Sequence, residues 1–172
     1  MNLRNIILVG FMGTGKTTVG RLLSEQTGMP LVDMDALIEE RAGKSITDIF
    51  AQDGEPHFRS LERELVRELA SKEGLIVSTG GGIVLNPDNI TDFEKSGLVV
   101  CLLASAETVL DRVRHDDARP LLAGDKESKI IQLLETRKPL YEAIAHKIDT
   151  NGRPTPEPTA AEIIELYKSN NP

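Results

Sequence analysis

The chain has 172 residues, of which 40% are hydrophobic and 27% are charged, a composition that predicts one globular domain spanning residues 1–172. Its formal net charge of −7 argues against a nucleic-acid-binding protein, whose surfaces collect Lys and Arg. One cysteine excludes an internal disulfide, and no stretch approaches the ~20 apolar residues of a membrane span, so we expect a cytoplasmic protein.

Short apolar stretches alternate with stretches of helical periodicity along the chain. The apolar stretches predict strands at residues 6–9, 31–34, 75–78, 98–103 and 147–149. The helical stretches are residues 16–27, 36–41, 46–52, 56–71, 87–95, 106–114, 126–145 and 158–169. This alternation predicts an α/β fold with a parallel sheet and helices on both faces, in which ligands bind at the carboxyl ends of the strands.

A phosphate-binding motif lies between the first predicted strand and the first predicted helix. The segment Gly10-Phe11-Met12-Gly13-Thr14-Gly15-Lys16-Thr17 matches G-x4-G-K-[ST], the loop of P-loop NTPases. Its glycines let backbone N–H groups surround a triphosphate, and an ordinary glycine turn would not require the other matched positions. The motif assigns Lys16 to the β- and γ-phosphates and the Thr17 hydroxyl to Mg²⁺.

Two aspartates follow the second predicted strand. Asp33 and Asp35 are two residues apart, so at a strand end both side chains should point to the same side and repel each other. A cation or a hydroxyl-bearing ligand between them would remove that repulsion. We therefore expect Asp33 to hold Mg²⁺ or its water and Asp35 to accept a substrate hydroxyl. The alternative is that Asp35 caps a helix beginning at Ala36.

Three consecutive glycines follow the third predicted strand. Gly80-Gly81-Gly82 is disfavoured inside a packed element, so this segment is either a tight turn or a place where a ligand approaches the backbone, which we favour. The strand itself lacks the acidic residue that motor ATPases carry there, and no Asn-Lys-x-Asp guanine motif occurs. Both absences favour a kinase of small metabolites over a switch or a motor.

Several arginines lie in places that suggest a role. Arg59 and Glu62 share a helix face at i, i+3, Arg137 lies on the long helix, and Arg119 follows a polar segment that reads as a lid over the phosphates. Other arginines are interpreted as solvated surface charges: Arg4, Arg21, Arg41, Arg63 and Arg67. The histidines show no metal-ligand spacing, and Cys101 is predicted to be a buried strand residue.

Together these motifs resemble the shikimate kinase family nearly from end to end. The matching segments are the phosphate loop at 10–20, Asp-x-Asp at 33–35, F-R-x-x-E at 58–62, the triple glycine at 80–82, R-P-L-L at 119–122 and R-x-P-x-Y at 137–141. Six motifs in the right order are specific, although each one apart from the phosphate loop is weak alone. The resemblance implies a P-loop NTPase fold of the nucleoside-monophosphate-kinase type, with a five-stranded parallel sheet, a substrate-binding region near residues 35–62 and a lid near residues 115–125.

The resemblance further implies ATP:shikimate 3-phosphotransferase activity in aromatic amino-acid biosynthesis, with Mg²⁺ as cofactor and a monomeric enzyme. The catalytic residues it implies are Lys16, Asp35 and Arg119. For ATP it implies Gly13, Thr14, Gly15, Lys16, Thr17, Thr18, Arg112, Arg119 and Arg153. For shikimate it implies Asp35, Arg59, Gly80, Gly81 and Arg137. For Mg²⁺ it implies Thr17 and Asp33, with Ser78 in the same shell.

The chemistry of these residues agrees with an acidic acceptor. Two planar guanidinium groups, Arg59 and Arg137, suit a carboxylate, and Asp35 suits hydroxyls. The arginine pair does not distinguish a ring from an open chain, so a kinase for another small hydroxy acid such as gluconate stays open. A nucleoside monophosphate acceptor is disfavoured, since few base-reading groups accompany the arginines. A nucleotide-binding module without transfer activity is the remaining alternative.

Overall fold

The computed structural model describes residues 4–114 and 126–171. Its strands are β1 (Asn5–Gly10), β2 (Leu31–Asp33), β3 (Ile76–Ser78), β4 (Gly97–Leu103) and β5 (His146–Asp149). All pair in parallel in one five-stranded sheet of order β2-β3-β1-β4-β5. The predicted α/β fold with a five-stranded parallel sheet is confirmed.

The helices of the described residues flank this sheet. They are α1 (Lys16–Thr27), α2 (Met34–Ala42), α3 (Ile46–Asp53), α4 (Glu55–Ala70), α5 (Pro87–Ser96), α6 (Ala106–Arg114), α7 (Lys126–Glu142) and α8 (Glu157–Asn170). Two differences from the prediction matter below. The second strand ends one residue earlier and α2 begins two residues earlier than expected, and a short 3-10 helix, Ile83–Leu85, follows the triple glycine.

The central strand β1 is buried on both faces, which explains its unbroken apolar sequence. Ile7 and Val9 pack into the larger hydrophobic cluster, which includes side chains from α2 to α7. Ile6 and Leu8 pack into the smaller cluster, with side chains of α1 and α8. Each fully buried side chain of this size contributes about 1.5–3 kcal/mol, so the strand anchors both layers of helices.

The strand order places a ligand crevice at the end of β1. After β1 the chain crosses to β2 and returns through β3 on one side of β1, and it then continues through β4 on the other side. In open parallel sheets, ligands bind outside the carboxyl ends of the strands where the strand order reverses in this way. The predicted phosphate loop leaves β1 at this point.

Candidate active site

The predicted phosphate loop curls between β1 and α1. Gly15 is the residue before α1 and has φ of 94°, a left-handed conformation that strongly favours glycine. The ammonium of Lys16 donates to the carbonyl oxygens of Gly10 at 2.6 Å and Phe11 at 2.9 Å, and the buried Thr14 hydroxyl donates to Phe11 at 2.7 Å. These bonds hold the loop in a closed curve in front of the N-terminus of α1, a position suited to an anion.

A cavity of about 580 Å³ opens beside this loop. It runs from the loop past the ends of β2 and β3 and reaches the segment after β5. Its lining includes these residues predicted from the sequence or its family resemblance: Gly13, Thr14, Gly15, Lys16, Thr17, Thr18, Asp33, Asp35, Ser78, Gly80, Gly81, Arg112 and Arg153.

Three oxygen-bearing side chains meet where α1, β2 and β3 come together. The Thr17 hydroxyl donates to Asp33 Oδ2 at 3.2 Å and lies 3.4 Å from the Ser78 hydroxyl oxygen. A carboxylate and hydroxyls are the hard oxygen donors that Mg²⁺ prefers. The donor set of this corner of the cavity therefore fits the cation that the sequence predicts.

The predicted geometry of the two aspartates is wrong, because the strand ends at Asp33. The Asp33 carboxylate caps α2 by accepting a hydrogen bond from the backbone N–H of Ala36 at 3.1 Å. The alternative in which Asp35 caps the helix is wrong too, since Asp35 lies within the first turn of α2. The two carboxylates are thus held at different points of a strand-to-helix junction, and both line the cavity.

The carboxyl group of Asp35 is placed where it resists ionisation. Burial raises its pKa above the ordinary value of 3.8, and the negative charge of Asp33 raises it further, whereas Lys16 and Arg59 oppose the rise. A carboxylate with a raised pKa is a stronger proton acceptor than an ordinary one. Asp35 is therefore suited to take a proton from a hydroxyl bound beside it.

Arg59 is held in place by two carboxylates of its own helix, α4. Its Nη1 donates to Glu62 Oε1 at 3.0 Å, and its Nε and Nη2 each lie 3.3 Å from Glu55 Oε1. The guanidinium carbon lies 5.2 Å from the centre of the Phe58 ring. Glu62 is almost fully buried, and burial raises its pKa while Arg59 opposes the rise. The F-R-x-x-E motif thus builds one preorganised guanidinium.

The triple-glycine loop is crowded by the side chains predicted to bind the acceptor. A Cβ atom on Gly80 would lie 2.7 Å from Asp35 Oδ1, and one on Gly81 would lie 3.6 Å from Arg137 Nη1. A Cβ atom on Gly82 would collide with the Arg59 guanidinium. The loop is also a turn, since Ile83 N–H donates to Gly80 at 3.1 Å. The interpretation of this segment as a tight turn is therefore confirmed, and the approach of a ligand to its backbone stays a prediction.

The far end of the cavity is organised by two further arginines. Arg112 Nη1 donates to the Gly13 carbonyl and the Thr150 hydroxyl, both at 3.1 Å, and its Nη2 donates to the Thr150 carbonyl at 2.9 Å. Arg153 donates to Thr159 at 3.2 Å and to Glu162 at 2.9 Å. The Arg112 bonds tie the phosphate loop to the segment after β5, and the Arg153 bonds tie that segment to α8. The sequence did not single out Thr150, because its role depends on the position of β5 in the sheet.

Not every predicted residue lines the main cavity. Arg59 and Arg137 lie beside the triple-glycine loop, next to Gly82 and Gly81 respectively, and Arg59 lines a second cavity of about 300 Å³ with Glu62, Asn86 and Asn89 among others. Arg119 and the predicted lid lie outside the described residues.

One arginine was assigned wrongly to the solvated surface. Arg63 pairs with Asp92 at 2.6 Å, donates to Asn89 at 3.2 Å, and only 18% of its side chain is exposed. The buried Asn89 in turn donates to the Ile83 carbonyl at 3.1 Å. Arg63 therefore belongs to a network that supports the turn after the triple glycine. Its partners are distant in sequence, so no local pattern could have revealed them.

Comparisons with known proteins identify the family of this chain. The family model for shikimate kinase matches residues 12–168. The shikimate kinase of Pelotomaculum thermopropionicum is 44% identical over 170 residues, covering 98% of each chain. That of Sulfurihydrogenibium sp. is 47% identical over 166 residues, covering 96% of this chain and 99% of the relative.

Solved structures support the same conclusion. Shikimate kinase from Acinetobacter baumannii in complex with shikimate superposes with a TM-score of 0.89 and 40% identity, covering 98% of this chain and 95% of that one. A gluconokinase from Sinorhizobium meliloti reaches a TM-score of 0.61 at 21% identity, covering 96% of this chain and 94% of that one, and so shares the fold alone. With a family model over most of its length and relatives above 40% identity, the chain belongs to the shikimate kinase family.

Proposed function

We propose that this protein transfers the γ-phosphate of ATP to the 3-hydroxyl of shikimate, giving shikimate 3-phosphate and ADP. One observation carries the proposal: in a chain of the shikimate kinase family, the phosphate loop shares a single cavity with Asp35 and the triple-glycine loop. A phosphate donor and a hydroxyl-bearing acceptor bound at these two places would be neighbours. Phosphoryl transfer depends chiefly on such positioning and on neutralising charge.

ATP would occupy the end of the cavity formed by the phosphate loop. The backbone around Gly13, Thr14 and Gly15, with Thr18 in the first turn of α1, lines this end. Lys16 would exchange its contacts with the loop carbonyls for the β- and γ-phosphate oxygens, because an anion is the stronger acceptor. The adenosine would lie toward Arg112 and Arg153, which line the far end.

Thr17 and Asp33 would hold Mg²⁺ against the phosphates, with Ser78 beside them. The 3.2 Å and 3.4 Å contacts that already join these side chains support the assignment. When bound, the ion supplies positive charge that neutralises the phosphate oxygens. The protein's own contribution is to keep the Asp33 carboxylate in place through its hydrogen bond to the N-terminus of α2.

Shikimate would bind in the same cavity as ATP, against Gly80 and Gly81. Arg59 and Arg137 offer planar guanidinium groups that match its carboxylate. Asp35 would accept the proton of the attacking shikimate hydroxyl. The hydroxyl oxygen would form a bond to the γ-phosphorus while the bond between that phosphorus and the β-phosphate oxygen breaks and releases ADP. Lys16 neutralises the charge that develops, and the family resemblance assigns the same role to Arg119.

The family resemblance also supports a monomeric enzyme of the cytoplasm that binds neither nucleic acid nor membrane. Within residues 4–114 and 126–171, no helix combines the length and apolar character needed to cross a bilayer. Sedimentation of the purified protein in the presence and absence of ATP would test the proposed monomer.

The proposal is tested by ADP release from Mg-ATP with shikimate, gluconate and nucleoside monophosphates in parallel. We expect release only with shikimate, accompanied by a product heavier by one phosphate. Turnover with gluconate instead would mean that the same arginines serve an open-chain acid. Absence of turnover with every acceptor, in a protein that still binds ATP, would favour a silent nucleotide-binding module.

A further inference from the structure

Tyr141 occupies a junction that the proposed roles leave unexplained. It lies in the last turn of α7, only 2% of its surface is exposed, and its hydroxyl donates a hydrogen bond to the carbonyl of Gly81. Burial raises the pKa of the hydroxyl to about 12, so it stays protonated and remains a donor at neutral pH. The guanidinium of Arg137, one turn earlier in α7, lies at the same hydroxyl and opposes that rise.

The ring of Tyr141 also touches the phosphate loop. Its edge-to-face partner is Phe11, the residue directly after β1, with ring centres 6.4 Å apart and planes at 74°. Gly81 itself lies against that loop, since a Cβ atom on it would be 3.7 Å from the Met12 nitrogen and 3.9 Å from the Gly10 oxygen. One side chain thus joins the donor loop, the acceptor loop and an acceptor arginine.

A second tyrosine shows that a hydrogen bond from a tyrosine hydroxyl to a backbone carbonyl does not by itself indicate a role in the site. Tyr167 on α8 also donates to a backbone carbonyl, that of Arg4, at 2.7 Å. Neither Tyr167 nor Arg4 is among the residues lining the cavity. Tyr141 differs because its hydroxyl and ring contact Gly81 of the triple-glycine loop and Phe11 of the phosphate loop. Its third neighbour, Arg137, is proposed to bind the acceptor.

We propose that Tyr141 is a positioning residue that holds the triple-glycine loop in register with the phosphate loop. By anchoring the Gly81 carbonyl it would set the place of the acceptor, and through Phe11 it would tie that place to the bound triphosphate. An error of about 1 Å between two reacting groups is enough to lower a rate 100-fold. The inference rests on the proposed transfer to shikimate, and it adds a residue that touches neither substrate.

The test compares Tyr141→Phe with Tyr167→Phe in steady-state ADP release. Each variant loses one hydroxyl that donates to a backbone carbonyl. For Tyr141→Phe we expect kcat to fall at least about tenfold and KM for shikimate to rise, while KM for ATP changes less than about twofold. For Tyr167→Phe we expect all three to match the wild type. Equal kinetics for Tyr141→Phe and the wild type would overturn the proposal.

A spectroscopic measurement keeps the proposal open to refutation if Tyr141→Phe does not fold. The chain has two tyrosines and no tryptophan, so in Tyr167→Phe the near-ultraviolet absorption of tyrosine comes from Tyr141 alone. Shikimate binding should perturb that absorption, because it acts on the Gly81 carbonyl and on Arg137. An unchanged spectrum at saturating shikimate would contradict the proposal.

The wild type is assayed first, which separates the two possible failures. If the wild type does not turn over shikimate, the proposed function fails and the positioning role fails with it. If the wild type is active and Tyr141→Phe is equally active, only the positioning role is wrong.

Discussion

In the proposed phosphoryl transfer, Lys16 is the residue on which we expect the rate to depend most directly. Its ammonium already lies over the phosphate loop, bonded to the carbonyls of Gly10 and Phe11. A charge kept at the place where phosphate charge develops needs no reorganisation during the reaction, and such preorganisation is the largest source of rate enhancement in many enzymes.

Replacing Lys16 with alanine should lower kcat for shikimate phosphorylation by at least about 100-fold, because one preorganised donor is worth roughly that much. The fold should survive, since β1 and α1 are held by apolar packing. Lys147→Ala is the matched control, because Lys147 also donates to a backbone carbonyl, that of Ile144 at 2.8 Å, but lies on β5 outside the cavity lining. Retained turnover in Lys16→Ala would contradict the assignment of this loop and of Lys16 to the phosphates of ATP.

We expect Arg137 to contribute to binding of shikimate and not to binding of ATP. In Arg137→Lys a point charge replaces a planar fork, so we expect KM for shikimate to rise about tenfold or more, the loss of one charge-assisted hydrogen bond. KM for ATP should change less than about twofold. Arg67→Lys, an exposed change on α4, is the control. Equal changes in both KM values would count against an acceptor role.

At the scale of elements, the junction of β2 and α2 combines a structural and a chemical task in one carboxylate. Asp33 Oδ1 caps α2, while Asp33 Oδ2 accepts from Thr17 in the corner that fits Mg²⁺. The same arrangement keeps Asp35 in the first turn of the helix, facing the triple-glycine loop. We therefore expect a change at Asp33 to affect both the helix cap and the proposed Mg²⁺ site.

Two substitutions of Asp33 should separate these tasks. Asn caps helices about as well as Asp, so Asp33→Asn should keep the free energy of unfolding within about 0.5 kcal/mol while raising the Mg²⁺ concentration needed for half-maximal turnover. Asp33→Ala should show the same kinetic defect and lose about 1 kcal/mol of stability as well. Thermal unfolding and Mg²⁺ titrations of ADP release measure the two effects. An unchanged Mg²⁺ requirement in Asp33→Asn would contradict its proposed role.

The same junction shows how far local sequence patterns reach. A local motif predicted the phosphate loop. Short-range periodicity of apolar residues predicted the parallel sheet and the longer helices. It misplaced the start of α2, since one hydrogen bond from Ala36 to Asp33 decides where the strand ends. It could not predict that Tyr141 meets Gly81, sixty residues apart in sequence, because such contacts exist only in the folded sheet.

For the molecule as a whole, the site opposes stability. Burial and the charge of Asp33 raise the pKa of Asp35, so its ionised form is less favourable in the folded protein than in the unfolded chain. The native state therefore holds this proton more tightly. Its contribution favours folding at acid pH and is lost as pH rises through the raised pKa. Above that pKa the fold carries a buried carboxylate that the proposed mechanism uses and that burial disfavours.

Replacing Asp35 with asparagine should therefore stabilise the protein while removing its activity. We expect kcat to fall by about 100-fold or more and unfolding free energy at neutral pH to rise by about 0.5–2 kcal/mol. The stability gain should shrink as pH falls through the raised pKa of Asp35, and it should vanish below the ordinary value of 3.8, where the wild-type carboxyl is protonated in both states. Asp88→Asn, an exposed aspartate in the first turn of α5, controls for the lost charge at a helix N-terminus. Lower stability in Asp35→Asn would contradict this account.

The position of the phosphate on the product tests the central claim most directly. Phosphorus and proton NMR of shikimate incubated with Mg-ATP and the wild-type protein should show one new ester, at the 3-hydroxyl. The same product should form with Lys147→Ala and not with Lys16→Ala. An ester at another hydroxyl, inorganic phosphate as the only product, or full turnover by Lys16→Ala would contradict transfer by this site.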